Sequence, residues 1–104
     1  IERAILARVL ENLAALDRAL EAFGKGAAVR RLPVEAGWYA ILEVPRTLDE
    51  DAWISRLVRE EGILVHPGYF FDMEREGFLV VSLLPDPKAF ASAASRLIHR
   101  LEAG

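Results

Sequence analysis

The residues best placed to do chemistry lie in segment 66–71, where a histidine precedes a Pro-Gly pair and an aromatic run. His66 could transfer a proton or coordinate an anion, because strand ends commonly carry binding side chains. The interpretation we prefer is an imidazole that fixes the turn. Tyr69, Phe70 and Phe71 follow it. Because neighbouring residues of an extended segment point to opposite faces, at least one ring should face away from the core, toward a ligand or another domain.

The other reactive residue types give little sign of a catalytic or metal site. The chain has no cysteine, which excludes disulfides, thiolate chemistry and cysteine-ligated zinc. His66 and His99 are far apart and show no metal-ligand spacing. Acidic residues gather at the ends of one predicted helix, as in 49–51, where negative charge suits the helix dipole. We interpret them as helix-end residues and not as a catalytic pair.

Hydrophobic periodicity predicts three helices and about four short strands around these residues. The first predicted helix covers residues 2–23. The second begins at a Thr47–Glu50 capping box and ends at Gly62, and the third begins at Asp86-Pro87. Predicted strands cover residues 28–33, 38–44, 63–65 and 78–84. The order α-β-β-α-β-β-α indicates an α/β (α+β) two-layer fold, with a small mixed or antiparallel sheet and helices mainly on one face.

The second face of this sheet should carry unusual apolar surface. Tyr39, Ile41 and the outer side of strand 78–84 would present more apolar area than an isolated small domain usually exposes. We therefore expect a neighbouring domain or partner to cover that face.

Composition predicts one ordinary globular domain, residues 1–104, with 53% hydrophobic and 28% charged residues. A net charge of −3 offers no broad basic field for nucleic acid or anionic lipid. The apolar runs are shorter than the roughly 20 residues of a membrane helix, so we expect neither nucleic acid nor membrane as a partner. The absence of cysteine fits the cytoplasm, and a helical pattern that starts at Ile1 suggests a fragment of a longer protein.

Three motifs follow one another along the chain. Asn12-Leu13 stands in a leucine-rich run, and Gly37-Trp38-Tyr39 opens a strand that closes on proline. Segment 60–71 reads Glu-Glu-Gly-Ile-Leu-Val-His-Pro-Gly-Tyr-Phe-Phe. It is similar to the pattern Glu-x-Gly-Val-x-Val-x-Pro-Gly-x-x-Phe that is found in one enzyme family. This succession covers nearly the whole chain and resembles the C-terminal small domain of the pyridoxal-phosphate-dependent class I/II (fold-type I) aminotransferases.

The resemblance implies one part of a two-part enzyme. A large domain of the same chain would bind pyridoxal 5'-phosphate and supply the Schiff-base lysine, since Lys25 and Lys88 resemble no such site. No catalytic, cofactor-binding or metal residue is therefore expected here, and the isolated domain should be inactive. It would cover and shape the substrate pocket for amino-group transfer between an amino acid and a 2-oxo acid, in a parent that forms a homodimer.

Four positions become candidate substrate-binding residues through the resemblance. Tyr39 matches an aromatic residue that lines the pocket, and Tyr69 would lie near its opening. The family places an arginine that grips the substrate carboxylate at the position of Val80. Either another cation replaces it, with Arg75 the nearest candidate, or the substrate is not an ordinary α-amino acid held in this way. A carboxylate without its partner would bind about 2–5 kcal/mol more weakly.

An alternative from a different class is a free-standing ligand-binding or dimerisation module without catalysis. It would use the open sheet face, and the lack of any catalytic side chain fits it equally well.

Overall fold

Three amphipathic segments form α-helices on one face of a four-stranded antiparallel sheet. The computed structural model describes residues 2–33 and 37–104. The helices are α1 (Arg3–Glu21), α2 (Glu50–Glu61) and α3 (Pro87–Ala103), and the strands are β1 (Arg30–Arg31), β2 (Tyr39–Glu43), β3 (His66–Pro67) and β4 (Phe78–Ser82). The strand order is β1-β2-β4-β3. The predicted element order and small antiparallel sheet are therefore confirmed. Among the described residues no helix is both long and apolar enough to cross a membrane.

The core fills the space between the helices and one face of the sheet. Leu16 of α1, Trp53 of α2 and Ile98 of α3 are all 0% exposed. They pack in one cluster with Leu42 and Leu79, which are register partners on β2 and β4. Burying a large apolar side chain of this kind contributes roughly 1.5–3 kcal/mol. These apolar stripes therefore decide which face of each helix meets the sheet.

Asn12 joins α1 to the end of β4 from inside the core. It is 0% exposed, and its Nδ2 donates to the carbonyl oxygens of Leu83 at 2.9 Å and Pro85 at 2.8 Å. A buried amide needs such partners, because an unpaired one is costly. The asparagine of the Asn12-Leu13 motif therefore has a structural role, since it ties α1 to the chain that follows β4.

The helix ends match the sequence prediction in two places and differ in one. Gly62 ends α2 with φ +66°, and the Asp86 carboxylate accepts from the amide of Ala89 at the start of α3. The predicted Thr47 capping box is wrong, because α2 begins at Glu50 and the Asp49 side chain accepts from the amide of Ala52 at 2.7 Å. The Glu50 side chain turns into the protein instead of reaching back.

The strand predicted at 63–65 is also wrong. The amide of Ile63 donates to the carbonyl oxygen of Leu57, which holds the chain against the end of α2 and keeps it away from the sheet. Leu64 is 69% exposed. The strand β3 forms only afterwards, at His66–Pro67.

The aromatic run is helical where the sequence suggested an extended segment. Gly68–Phe71 forms a 3₁₀ turn that ends at Asp72, whose φ is +60°. A Cβ on Gly68 would lie 2.8 Å from the Cβ of Phe78, closer than atoms can pack. Glycine therefore allows the turn to approach β4.

Most of the second sheet face is covered by the chain itself, which corrects the expectation of a broad open apolar face. Phe78 and Val80, on the outer side of β4, are 3% and 0% exposed. Segment 68–77 supplies the cover. The largest aromatic exposure lies in its 3₁₀ turn, where Tyr69 is 53% and Phe70 is 65% exposed, and Tyr39 on β2 remains 36% exposed as predicted.

A buried carboxylate fixes segment 68–77 in this position. Glu50 is 2% exposed. Its Oε1 accepts from the amide of Gly68 at 2.9 Å, and its Oε2 accepts from the amides of Gly77 and Phe78, both at 3.1 Å. One side chain at the start of α2 thus binds both ends of the segment.

We expect the substitution Glu50→Ala to lower the free energy of unfolding by about 3 kcal/mol or more, because three buried amides lose their acceptor. Urea denaturation of the chain measures this loss. The substitution Glu74→Ala is a matched control, since Glu74 is exposed, and should change the free energy by less than about 0.5 kcal/mol. Equal denaturation midpoints for the two variants would contradict the structural role of Glu50.

Candidate functional site

An aromatic cleft lies on the sheet face opposite the helices. Its lining residues are Tyr39, His66, Phe70 and Phe71, and its volume is about 340 Å³. Tyr39 lies on β2 and His66 on β3, the two strands that flank β4. The 3₁₀ turn contributes the other two rings. We call this the aromatic cleft.

Two ring pairs form the aromatic cleft. The Tyr39 and Phe71 centroids are 5.1 Å apart at an interplanar angle of 57°. The His66 and Phe70 centroids are 6.4 Å apart at 24°. Apolar surface with a few polar groups is typical of small-molecule pockets. Here the polar groups are one hydroxyl and one imidazole, so the cleft suits an apolar group better than a charged one.

Tyr69, predicted to lie near the pocket opening, stands beside the aromatic cleft and not in its lining. Its hydroxyl donates to Oδ1 of Asp51 at 3.1 Å, and its ring contacts Phe70 edge-on at 5.2 Å. The hydrogen bond to Asp51 raises the pKa of the Tyr69 hydroxyl above its ordinary value. Tyr69 therefore links the 3₁₀ turn to the first turn of α2.

Arg75 lies at the other end of the same face. Its Nη2 is 2.9 Å from Oε2 of Glu43, and its guanidinium lies 4.6 Å from the centroid of the Phe78 ring. Glu43 also pairs with Arg30. Hydrogen bonds from Arg30 and then Arg75 hold the pKa of the Glu43 carboxyl below its ordinary value.

Val80 lies beneath this face and is fully enclosed. Its register partners are Ile41 on β2 and His66 on β3. Because Val80 is 0% exposed, it would shape the cleft from below and would not touch a ligand. Of the four candidate residues, the structure brings Tyr39 and Val80 to one region and places Arg75 and Tyr69 at its margins.

The sequence singled out His66 and the aromatic run without joining them to Tyr39. No sequence feature linked His66 to Tyr39, because β3 begins three residues later than the strand predicted at 63–65. That shift puts His66 in register with Val80 and brings Phe70 over its ring.

A second, polar cavity lies between the end of α2 and α3. Its volume is about 400 Å³. Both of its arginines are engaged: Arg96 donates to the carbonyl oxygen of Glu61 at 2.7 Å, and Arg100 donates to Oε2 of Glu61 at 2.8 Å. Because both guanidinium groups bond to Glu61, and Arg100 also pairs with Glu60, we interpret the cavity as a helix–helix contact.

The lysines of this chain do not fit a covalent cofactor site. Lys25 lies in the turn after α1 and Lys88 in the first turn of α3, and both are exposed. Neither lines the aromatic cleft. Across residues 2–33 and 37–104 no group of three or more His, Asp or Glu side chains is arranged to hold a metal ion.

Known proteins with a similar sequence are aminotransferases. The LL-diaminopimelate aminotransferase of Nitratidesulfovibrio vulgaris (strain Hildenborough) is 31% identical over 81 residues, which is 78% of this chain and 21% of that protein. The chain is therefore similar in sequence to part of an aminotransferase. It spans about a fifth of the length of the curated relatives that it matches. No protein-family model matches it.

Solved aminotransferase structures share the fold. An aminotransferase from Mycobacterium tuberculosis is 26% identical with a TM-score of 0.78, over 97% of this chain and 26% of that one. The α-aminoadipate aminotransferase of Thermus thermophilus, complexed with N-(5'-phosphopyridoxyl)-L-leucine, is 25% identical with a TM-score of 0.73, over 97% of this chain and 25% of that one. The resemblance to part of a fold-type I aminotransferase is confirmed.

The ion pairs of Glu43 predict a specific titration. The substitution Arg30→Ala should raise the pKa of Glu43 toward its ordinary value, and Arg75→Ala should raise it by less, because Arg30 is the stronger partner. Carbon-13 NMR of the Glu43 carboxyl measures both pKa values. The exposed residue Arg59 provides the control variant Arg59→Ala, which should leave the pKa unchanged.

The same pair has a defined pH window for stability. A carboxyl whose pKa is lower in the folded chain stabilises the fold above its unfolded pKa. That contribution is lost as the pH falls through the folded value. An unchanged pKa of Glu43 in the Arg75→Ala variant would show that Arg75 does not pair with it in solution.

Proposed function

We propose that residues 1–104 are the C-terminal small domain of a pyridoxal-phosphate-dependent aminotransferase. The domain covers and shapes the pocket for amino-group transfer between an amino acid and a 2-oxo acid. The 31% identity to an LL-diaminopimelate aminotransferase over 78% of the chain carries this proposal. The aromatic cleft supports it, because it offers a ligand-sized surface on the sheet face away from the helices.

The cofactor would be held by a large domain elsewhere in the same polypeptide, which we propose forms a cytoplasmic homodimer. When bound, pyridoxal phosphate supplies the electron sink that amino-group transfer requires. This chain would contribute binding and orientation. Its aromatic rings would contact the substrate and exclude water from the pocket, which strengthens the electrostatic interactions inside it.

Arg75 would be the cation for the substrate carboxylate. Its side chain is 51% exposed, so it can turn toward a ligand. Turning away from Glu43 does not leave that carboxylate unpaired, because Arg30 also contacts it. Arginine suits this role, since its planar guanidinium can bind a carboxylate through two parallel hydrogen bonds.

The division of labour between domains can be tested with pyridoxal phosphate. The 104-residue chain should show neither transaminase activity nor a specific borohydride-trappable adduct, whereas the complete polypeptide that contains it should show both. Absorbance spectroscopy and mass spectrometry after reduction measure the adduct. A Lys25→Arg/Lys88→Arg double variant controls for weak reaction at surface lysines. A stoichiometric adduct on the unaltered short chain would contradict the proposal.

The role of Arg75 can be tested in the complete polypeptide. The substitution Arg75→Ala should raise the KM for the amino donor about tenfold or more, as expected for a carboxylate that loses its cation. Steady-state kinetics with Arg59→Ala as the control measure the change. If both variants keep the KM of the unaltered enzyme, Arg75 does not bind the substrate.

A further inference from the structure

We propose that the aromatic cleft is the subsite for the substrate side chain, and that it selects an apolar side chain of aromatic size. This inference rests on the proposed function and adds the substrate class to it. The lining carries the assignment, because all four of its residues have ring side chains: Tyr39, His66, Phe70 and Phe71.

The exposure of these rings indicates surface that gains from a partner. Phe70 is 65%, Phe71 37% and Tyr39 36% exposed. Exposed apolar side chains that line one cavity, and are not scattered singly, are typical of a binding surface. A substrate ring between the two pairs would bury this area and could stack or meet the rings edge-on.

The charges on this face argue against an acidic side chain as the occupant. The arginines nearby, Arg30 and Arg75, both pair with Glu43, four residues from Tyr39 along β2. At roughly 3.3 Å per residue the separation is about 13 Å. No Lys, Arg, Asp or Glu belongs to the cleft lining that the structure describes. A carboxylate placed there would lose water and gain no partner.

The size of the cleft argues for a small molecule. Its volume of about 340 Å³ lies within the usual range for small-molecule pockets, roughly 300–1,000 Å³. Arg75 lies over Phe78, and Phe78 is one strand repeat, about 7 Å, from Val80 at the cleft. The cleft therefore has room for a side chain, and Arg75 lies beyond it on the same face, on the side where the proposed function would bind the substrate carboxylate.

Kinetics of the complete polypeptide loaded with pyridoxal phosphate test the subsite. We expect kcat/KM to be higher for L-phenylalanine than for L-aspartate. The substitutions Phe70→Ala and Phe71→Ala should each lower the ratio of the two kcat/KM values about tenfold, the scale of lost apolar contacts in a specificity pocket. Leu64→Ala is the matched control, because Leu64 is 69% exposed and lies outside the cleft.

A binding measurement on the 104-residue chain separates this inference from the proposed function. Proton–nitrogen NMR with indole as the probe should show saturable shifts at Tyr39 and Phe71, and Phe71→Ala should abolish them. Transamination whose substrate ratio neither variant changes would overturn the subsite and leave the proposed function intact. Transamination of no amino acid would overturn the proposed function, whereas saturable indole binding would still support an apolar ligand for the cleft.

Discussion

The Glu50 carboxylate is the interaction on which the geometry of the outer sheet face depends. It accepts three backbone hydrogen bonds from residues that lie 18 to 28 positions away along the chain. Gly68 begins the 3₁₀ turn and Phe78 begins β4, so one side chain fixes both ends of the segment between them. A buried carboxylate is tolerated only where such bonds replace its water. The closure of segment 68–77 and the burial of Glu50 therefore require each other.

Two further contacts join the same segment to the first turn of α2. Tyr69 donates to Asp51, and Oε2 of Glu76 accepts from the amide of Glu50. Desolvation, followed by the negative charge of Glu50, raises the pKa of the Glu76 carboxyl above its ordinary value. The segment is thus held firmly where it meets α2, and its exposed rings project from a fixed base.

The parts of the fold that the sequence predicted well are those that local chemistry decides. Gly62 ends α2 because a left-handed residue is needed there, and Asp86 caps α3 with a bond three residues away. The predicted Thr47 cap failed because Glu50 has a stronger, distant use for its carboxylate. Side-chain capping contributes about 1 kcal/mol, whereas three buried amides without an acceptor cost several times more. No local sequence pattern predicts that Glu50 binds amides 18 to 28 residues away. The aromatic cleft depends on the position of the same segment, so the sequence predicted its residues separately and not as one site.

In the proposed function, the valine at position 80 means that the cation for the substrate carboxylate must come from the margin of the face. Its side chain is fully enclosed between Ile41 and His66, and such burial contributes roughly 1.5–3 kcal/mol. A cation at this position would lose its water and would need a partner there. Arg75 avoids that cost because it is half-exposed. Valine in place of the arginine found in related enzymes would give the aromatic cleft an apolar floor. The substrate carboxylate would then be bound by Arg75, which must first break its ion pair with Glu43.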